Sequence, residues 1–275
     1  MPCSLLSHSA INGEDCVRPV FKPSGFFPFL ALFAAFSASA MQPLISDDAD
    51  TQGSGSHQIE LSYSRDHTRW NGETEQLDSL PFTYTYGLTD TLDIFAGISY
   101  LHIWVSGDHS SDFSNVGIGF KWRFFESDAS GTSLALKPEV LFPAGSRCEE
   151  KGLGSGKTSG SLTLILSQKV PFGSMHFNAG VGRVRFHYSD DNTTNRHFSV
   201  APVWDVSEQW KLALDMGIDL TRSGGGTVRS KFAEIAAIYS PGQNLDLSAG
   251  YIRAFDSRHP RPMLHGVVTG VTWRF

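Results

Sequence analysis

Residues with the types and spacing to do chemistry are few. Gly154-Ser155-Gly156-Lys157-Thr158 ends like a phosphate-binding loop, but G-x-x-x-x-G-K-[ST] needs a glycine where Lys151 stands, and no strand-to-helix unit surrounds it. It reads as a flexible loop. The same stretch misses the G-x-S-x-G nucleophile elbow, because Ser155 follows Gly154 directly. His109 adjoins Ser110 and Ser111 ahead of Asp112, which is a cluster without the spacing of a membrane-wall lipid hydrolase, His-x-Ser-Asn-Gly. The ten histidines show no His-x-x-x-His or Glu-flanked pair suited to zinc. Asp47, Asp48 and Asp50, and Asp190 and Asp191 beside Asn192, offer clustered oxygens of the kind that hard cations take, though solvated segments explain them as well. No catalytic residue, metal ligand or cofactor is assigned.

A second set of charges is more informative because of its phase. Glu60, Asp93, Lys121, Arg123, Lys137, Glu139, Lys211, Asp215, Asp219, Glu234 and Asp246 each alternate with apolar neighbours, as in Val116, Ile118, Phe120, Trp122 and Phe124 against Asn115, Gly117, Gly119, Lys121 and Arg123. Period two is the signature of a strand with one apolar face, and it dominates from His57 onward. About twelve such runs follow one another, the last through Val267, Thr269, Val271, Trp273 and Phe275. Each is long enough for a tilted membrane strand, which needs roughly 9–11 residues.

The connections alternate in length. Residues 67–78, 105–112, 143–159, 188–197, 221–230 and 255–263 read as long polar loops, and 87–91, 125–132, 169–174, 206–210 and 240–244 as tight turns. Long loops on one side and short turns on the other, with an even strand count, are what outer-membrane barrels show. The expected fold is therefore all-β, a transmembrane antiparallel up-and-down barrel of about twelve strands over residues 57–275. Parity slips near Arg183, as at a bulge, and near Ile252. Tyr86, Trp104, Trp122, Trp204, Tyr239 and Trp273 sit at the ends of apolar faces, where interfacial girdles would be.

Composition agrees. Charged residues make up only 18% and aromatics 12%, while a mean hydropathy of -0.15 is what a wall averaging lipid-facing and lumen-facing positions gives. A net charge of -6 and pI of about 5.9 provide no basic face for nucleic acid. Arg18 and Lys22, the apolar run from Phe26 to Phe36 and the small residues Ser37 to Ala40 have the order of a secretory signal, removed after Ala40, leaving residues 41–56 as a periplasmic segment, tucked against or into the barrel mouth. Cys3 and Cys16 fall in the removed part, so Cys148 stands alone.

The run Pro43-Leu44-Ile45-Ser46-Asp47-Asp48-Ala49-Asp50-Thr51-Gln52-Gly53, the turn Tyr86-Gly87-Leu88-Thr89-Asp90, and Leu141-Phe142-Pro143-Ala144-Gly145 leading to Gly152-Leu153-Gly154-Ser155-Gly156 resemble a family of outer-membrane transporters labelled for the meta-pathway of phenol degradation. Ser46 and Ala144 stand where that family would have Thr. Trp273-Arg274-Phe275, with alternation before it, looks like the signal read by the barrel-assembly machinery. The resemblance implies a barrel of the Gram-negative outer membrane with a transport role.

Together these readings predict a monomeric passive facilitator for small solutes, hydrophobic or aromatic ones among them, in contact with outer-membrane lipids and lipopolysaccharide. The alternatives are a closed structural or adhesive barrel acting through its loops and, less favoured, a lipid hydrolase. The inward charges can either line a wet pore or pair across the bore and seal it.

Overall fold

The computed structural model describes residues 43–70, 73–256 and 264–275; the segment read as a signal, 1–40, lies outside them. Thirteen strands are present: β1 (His57–Trp70), β2 (Glu73–Thr89), β3 (Leu92–Val105), β4 (Asp108–Phe113), β5 (Val116–Ser127), β6 (Thr132–Phe142), β7 (Lys157–Val170), β8 (Gly173–Arg185), β9 (Thr193–Asp205), β10 (Trp210–Ser223), β11 (Gly226–Gly242), β12 (Leu245–Asp256) and β13 (Leu264–Arg274). One short helix, α1 (Ser146–Glu150), interrupts them.

Every strand pairs antiparallel with its sequence neighbour, and β1 pairs with β13 from Gln58 opposite Arg274 to Thr68 opposite Leu264, which closes the sheet. Along β3, Leu92 to Gly97 pairs with β5 and Tyr100 to Val105 pairs with β4. Strands β4 and β5 are thus one stave broken at Ser114 and Asn115, and the thirteen segments make twelve staves. Closure is required physically, since a free edge in hydrocarbon would leave backbone donors and acceptors unpaired at several kcal/mol each.

The two faces differ as the alternation dictates. Ile118, Phe120, Trp122 and Phe124 on β5 are exposed, and so are Leu162 and Leu164 on β7 and Leu212, Met216 and Ile218 on β10. The opposite parity is buried and largely polar: Gln58, Glu60 and Ser62 on β1, Thr83 and Thr85 on β2, Asp215 and Asp219 on β10. An apolar exterior around a polar interior is stable only with lipid outside. Among the described residues no helix is long and apolar enough to cross a membrane.

Close packing inside needs glycine at one place in particular. A Cβ on Gly119 would run into the Pro138 carbonyl and the Phe95 ring, so the missing side chain lets Phe95 lie across β5.

Several expectations about boundaries and phase are corrected. The region 105–112 is not a loop: β3 and β4 form a hairpin whose two-residue turn, Ser106 and Gly107, has φ of 50° and 100°. Positive φ at both positions is the geometry that matches strand twist in tight hairpins. In the same way β10 runs to Ser223 and β11 starts at Gly226, so most of 221–230 is strand. Parity does not slip at Arg183 or Ile252. Val184 and Ile252 are buried, Arg183, Arg185 and Arg253 are exposed, and the register irregularity lies on β7 between Lys157 and Gly160. What changes is the chemistry of the outer face, from apolar to cationic. Of the six aromatics, Tyr86, Trp122, Trp204, Tyr239 and Trp273 gather at the short-turn end and Trp104 lies at the other, its ring tilted by 30° against His102 with centroids 3.6 Å apart.

Candidate functional site

The bore is occupied by the chain itself. Residues 43–52 carry no regular structure, yet Leu44, Ser46, Asp47 and Ala49 are all buried. This stretch enters beside the β2–β3 turn at the short-turn end, where Gly55 N donates to Gly87 O at 2.8 Å, and crosses the lumen to β9 and β10.

Its backbone donors are satisfied by inward side chains from successive strands. Ser46 N donates to Asp215 Oδ2 at 2.6 Å and Asp47 N to Asn178 Oδ1 at 2.9 Å. Ala49 N donates to Ser167 Oγ at 2.8 Å, and Gln52 N to Asp93 Oδ2 at 3.1 Å. A chain with a side-chain acceptor for these donors needs no ladder or helix to be buried. The Ser46 hydroxyl donates to Asp215 Oδ1 at 2.7 Å and lies 2.7 Å from Ser199 Oγ. Apolar contacts complement these bonds: Leu44 packs against Ala201, Val203, Ala213 and Ala236, and Ala49 against Ala135 and Ile165.

Charge is matched at the centre. Asp47 faces Lys137 at 2.8 Å and Lys121 at 3.4 Å, and Lys121 also reaches Asp48 at 3.5 Å. Asp47 and Asp48, two of the carboxylates read as a possible cation site, are therefore met by ammonium groups, and among the described residues no cluster of His, Cys, Asp and Glu is arranged for a metal.

Of the inward charges expected from sequence, Asp93, Lys121, Lys137 and Asp215 converge on this segment. Glu60, Glu139, Asp219 and Glu234 are buried on the same face of the sheet, with Asp219 bonded to His197 at 2.8 Å and Glu234 directly across from Asp215. Arg123 and Asp246 sit lower, at the short-turn end: Arg123 Nη2 donates to Asp90 O at 2.9 Å, and Asp246 pairs with Arg274 at 2.8 Å. Lys211 lies at the rim, exposed, 3.8 Å from Asp205. The further polar partners Ser167, Asn178, His197 and Ser199 share the parity of these charges, but nothing in their spacing marks them in the sequence.

Asp219, His197 and Ser199 form a linear chain, with His197 Nε2 2.9 Å from Ser199 Oγ. The order is that of a hydrolytic triad, but Ser199 is buried against Ser46 and the chain serves to hold the segment.

The long-loop mouth is built differently. Residues 143–159 fold inward through α1, where Leu153 and Cys148 pack on Leu77, Leu101 and Ile103. Asn115, at the break between β4 and β5, fixes the fold: its Nδ2 donates to Phe142 O at 2.7 Å and Ser155 O at 3.0 Å, and Oδ1 accepts from Ser155 N at 2.7 Å. Ser155 is 3% exposed, and Gly156 abuts the Glu149 carboxylate, so this is neither a flexible loop nor an anion cradle. Burial pushes the Cys148 thiol up to about 11, with Asp112 acting in the same direction.

No family model matches the chain, and no curated protein sequence matches it significantly. Solved structures do share its fold. An outer membrane channel from Pseudomonas putida F1 is 13% identical with a TM-score of 0.66, over 83% of this chain and 98% of that one. The β domain of the Bordetella autotransporter BrkA is 12% identical with a TM-score of 0.53, over 81% and 100%. The NanC porin is 9% identical with a TM-score of 0.50, over 78% and 98%. At such identities the likeness is one of fold: a closed, membrane-type antiparallel barrel.

Proposed function

We propose that this chain is a passive facilitator in the outer membrane of a Gram-negative bacterium, letting small solutes cross through the barrel when the lumenal segment yields. The observation that carries this reading is the inner face: polar and charged residues ring the bore, yet what fills it is a strand-free segment held by side chains and not by the ladder. Such a segment can move without breaking a wall hydrogen bond.

The resemblance to transporters labelled for phenol degradation favours hydrophobic or aromatic solutes. With every strand edge paired, the barrel needs no second copy to close, and we take it to work as a monomer. Trp273 and Phe275 serve as its assembly signal. The reading involves no cofactor and no catalysis.

A sealed structural barrel is the second reading, favoured by the ion pairs that fix Asp47 in the bore. Single-channel conductance of the refolded chain in a planar bilayer decides between them. Discrete steps that shift in size or ion selectivity with Lys121→Ala and Arg123→Ala support the facilitator; a silent bilayer from a heat-modifiable, folded barrel supports the sealed one.

A further inference from the structure

The outward-facing side chains change character along the barrel axis, and not evenly around it. At the short-turn end the exposed outer residues are aromatic: Trp122, Trp204, Trp210 and Trp273. At the long-loop end β8 to β12 present cations instead: Arg183, Arg196, Arg222, Arg229, Lys231 and Arg253, all exposed and all with the parity of the apolar outer face. The wall opposite does not share them. At the same end β3, β4 and β6 present Tyr100, Trp104, Phe113 and Phe142, and none of these strands contains an arginine.

Register places the cations in a lattice. Arg183 and Arg222 both lie directly across from Thr194, one from β8 and one from β10. One step nearer the membrane centre, Arg196 and Arg229 both lie across from Leu220. Each pair is two strands apart, or about 10 Å at the usual strand spacing. Among the described residues none of the six forms an ion pair with a carboxylate. Below the lattice the same face turns apolar through Phe198, Ile218 and Ile235.

Cations directly above a lipid-contacting surface are costly unless they sit at headgroup depth and meet anions there, because the penalty for Arg and Lys on a barrel's outer face falls from the midplane to the interface. Arginine forks match phosphate oxygens two at a time. Pairs of forks side by side suit a ligand with more than one phosphate on a rigid scaffold.

We propose that the β8–β12 face at the long-loop end is a docking surface for the phosphates of the outer leaflet's phosphorylated glycolipid, seating a bisphosphorylated headgroup against Arg183, Arg196, Arg222 and Arg229. The contact is one-sided, so the barrel carries its glycolipid on one wall and leaves the β3–β7 wall to apolar contacts.

The test uses the full folded barrel in detergent, with native mass spectrometry reading bound lipid after titration with bisphosphoryl, monophosphoryl and dephosphorylated forms of the glycolipid. Expected is affinity in that order, about tenfold weaker binding of the bisphosphoryl form by Arg196→Ala/Arg229→Ala, an intermediate loss in the Arg196→Lys/Arg229→Lys pair, and no change in Lys211→Ala at the opposite rim. Heat modifiability reports folding of each variant. If the alanine pair fails to fold, the wild-type ranking and the lysine pair still decide. Equal binding of the dephosphorylated form, or competition by inorganic phosphate or phosphatidylglycerol as strong as by the glycolipid, overturns the proposal.

Discussion

Lys137 Nζ and Asp47 Oδ2 lie 2.8 Å apart across the bore, joining β6 to a segment that belongs to no strand. Both side chains are below a tenth exposed, and Lys121 approaches the same carboxylate from β5. Removing one partner of a buried pair leaves an uncompensated charge, at a cost of roughly 3–5 kcal/mol in dry interiors. Asp47→Asn is therefore expected to loosen the segment more than any neutral change in it. In planar bilayers the variant should show larger or more frequent openings than the parent, and equal traces from the two would mean that the segment does not limit conduction.

Ser46 tests the polar half of the same grip. Its N–H and hydroxyl both donate to Asp215, and hydrogen bonds to charged groups contribute about 1.5–3 kcal/mol each. Ser46→Ala keeps the backbone bond and deletes the hydroxyl's contacts with Asp215 and Ser199, while Ser46→Thr keeps a hydroxyl for both. Spin labels on the segment and on the barrel wall should report a broadened distance distribution for the alanine variant and a parent-like one for threonine.

How far these features could be read from sequence follows from what alternation can encode. Period two located the wall and put Asp93, Lys121, Lys137 and Asp215 on the inner face, because a residue on a pleated strand has only two directions to point. It misleads at Arg183 and Ile252 because polarity does not report parity there: at the long-loop end the outer face is cationic while the inner one holds Val184 and Ile252. The partners Asn178, Ser167 and Ser199 escaped notice because they carry no charge. The insertion of residues 43–52 leaves no periodic trace at all: an irregular chain bonded to side chains has neither of the repeats that mark a helix or a strand.

The mouth of the barrel predicts a pH effect. Cys148 is 3% exposed, its Sγ is 3.2 Å from Phe113 O, and its thiol is raised to about 11 by burial. An unfolded thiol titrates near 8.5, so between there and about 11 the folded loop holds a proton that the opened loop releases. Stability of the α1 cap should fall as pH rises through that window and be unaffected below it. Maleimide labelling of Cys148 in the folded barrel should be slow at pH 7 and accelerate through pH 9–10 more steeply than for an exposed thiol; a parallel rise in both would remove the argument.

Gly119 predicts the outcome of adding bulk inside the wall. A side chain there meets the Pro138 carbonyl, which is backbone of the neighbouring strand, and the Phe95 ring, which Lys137 Nζ overlies at 5.0 Å. Phe95 could swing away, but the carbonyl cannot without opening the β5–β6 ladder. Gly119→Val should destabilise the barrel by about 1–3 kcal/mol. The loss should appear as a lower temperature for the heat-modifiability transition, and Phe95→Ala in the same chain should restore only part of it.

The seam between β1 and β13 is where closure happens, and its last pair is His57 with Phe275. His57 N donates to Phe275 O at 2.9 Å, Phe275 N donates to His57 O at 3.0 Å, and the two rings stack at 5.2 Å with 9° between their planes. Phe275 also lies 4.5 Å from the Trp273 ring, so one side chain ties the two strands of the seam to the short-turn girdle. Phe275→Ala keeps both backbone bonds and removes the stack, which for aromatic pairs contributes about 0.5–1.5 kcal/mol beyond burial. The variant is expected to refold in detergent to a barrel of slightly lower thermal stability, yet to reach the outer membrane poorly in cells if the aromatic is also read during assembly. Equal loss in detergent and in cells would instead make Phe275 a structural seam residue alone.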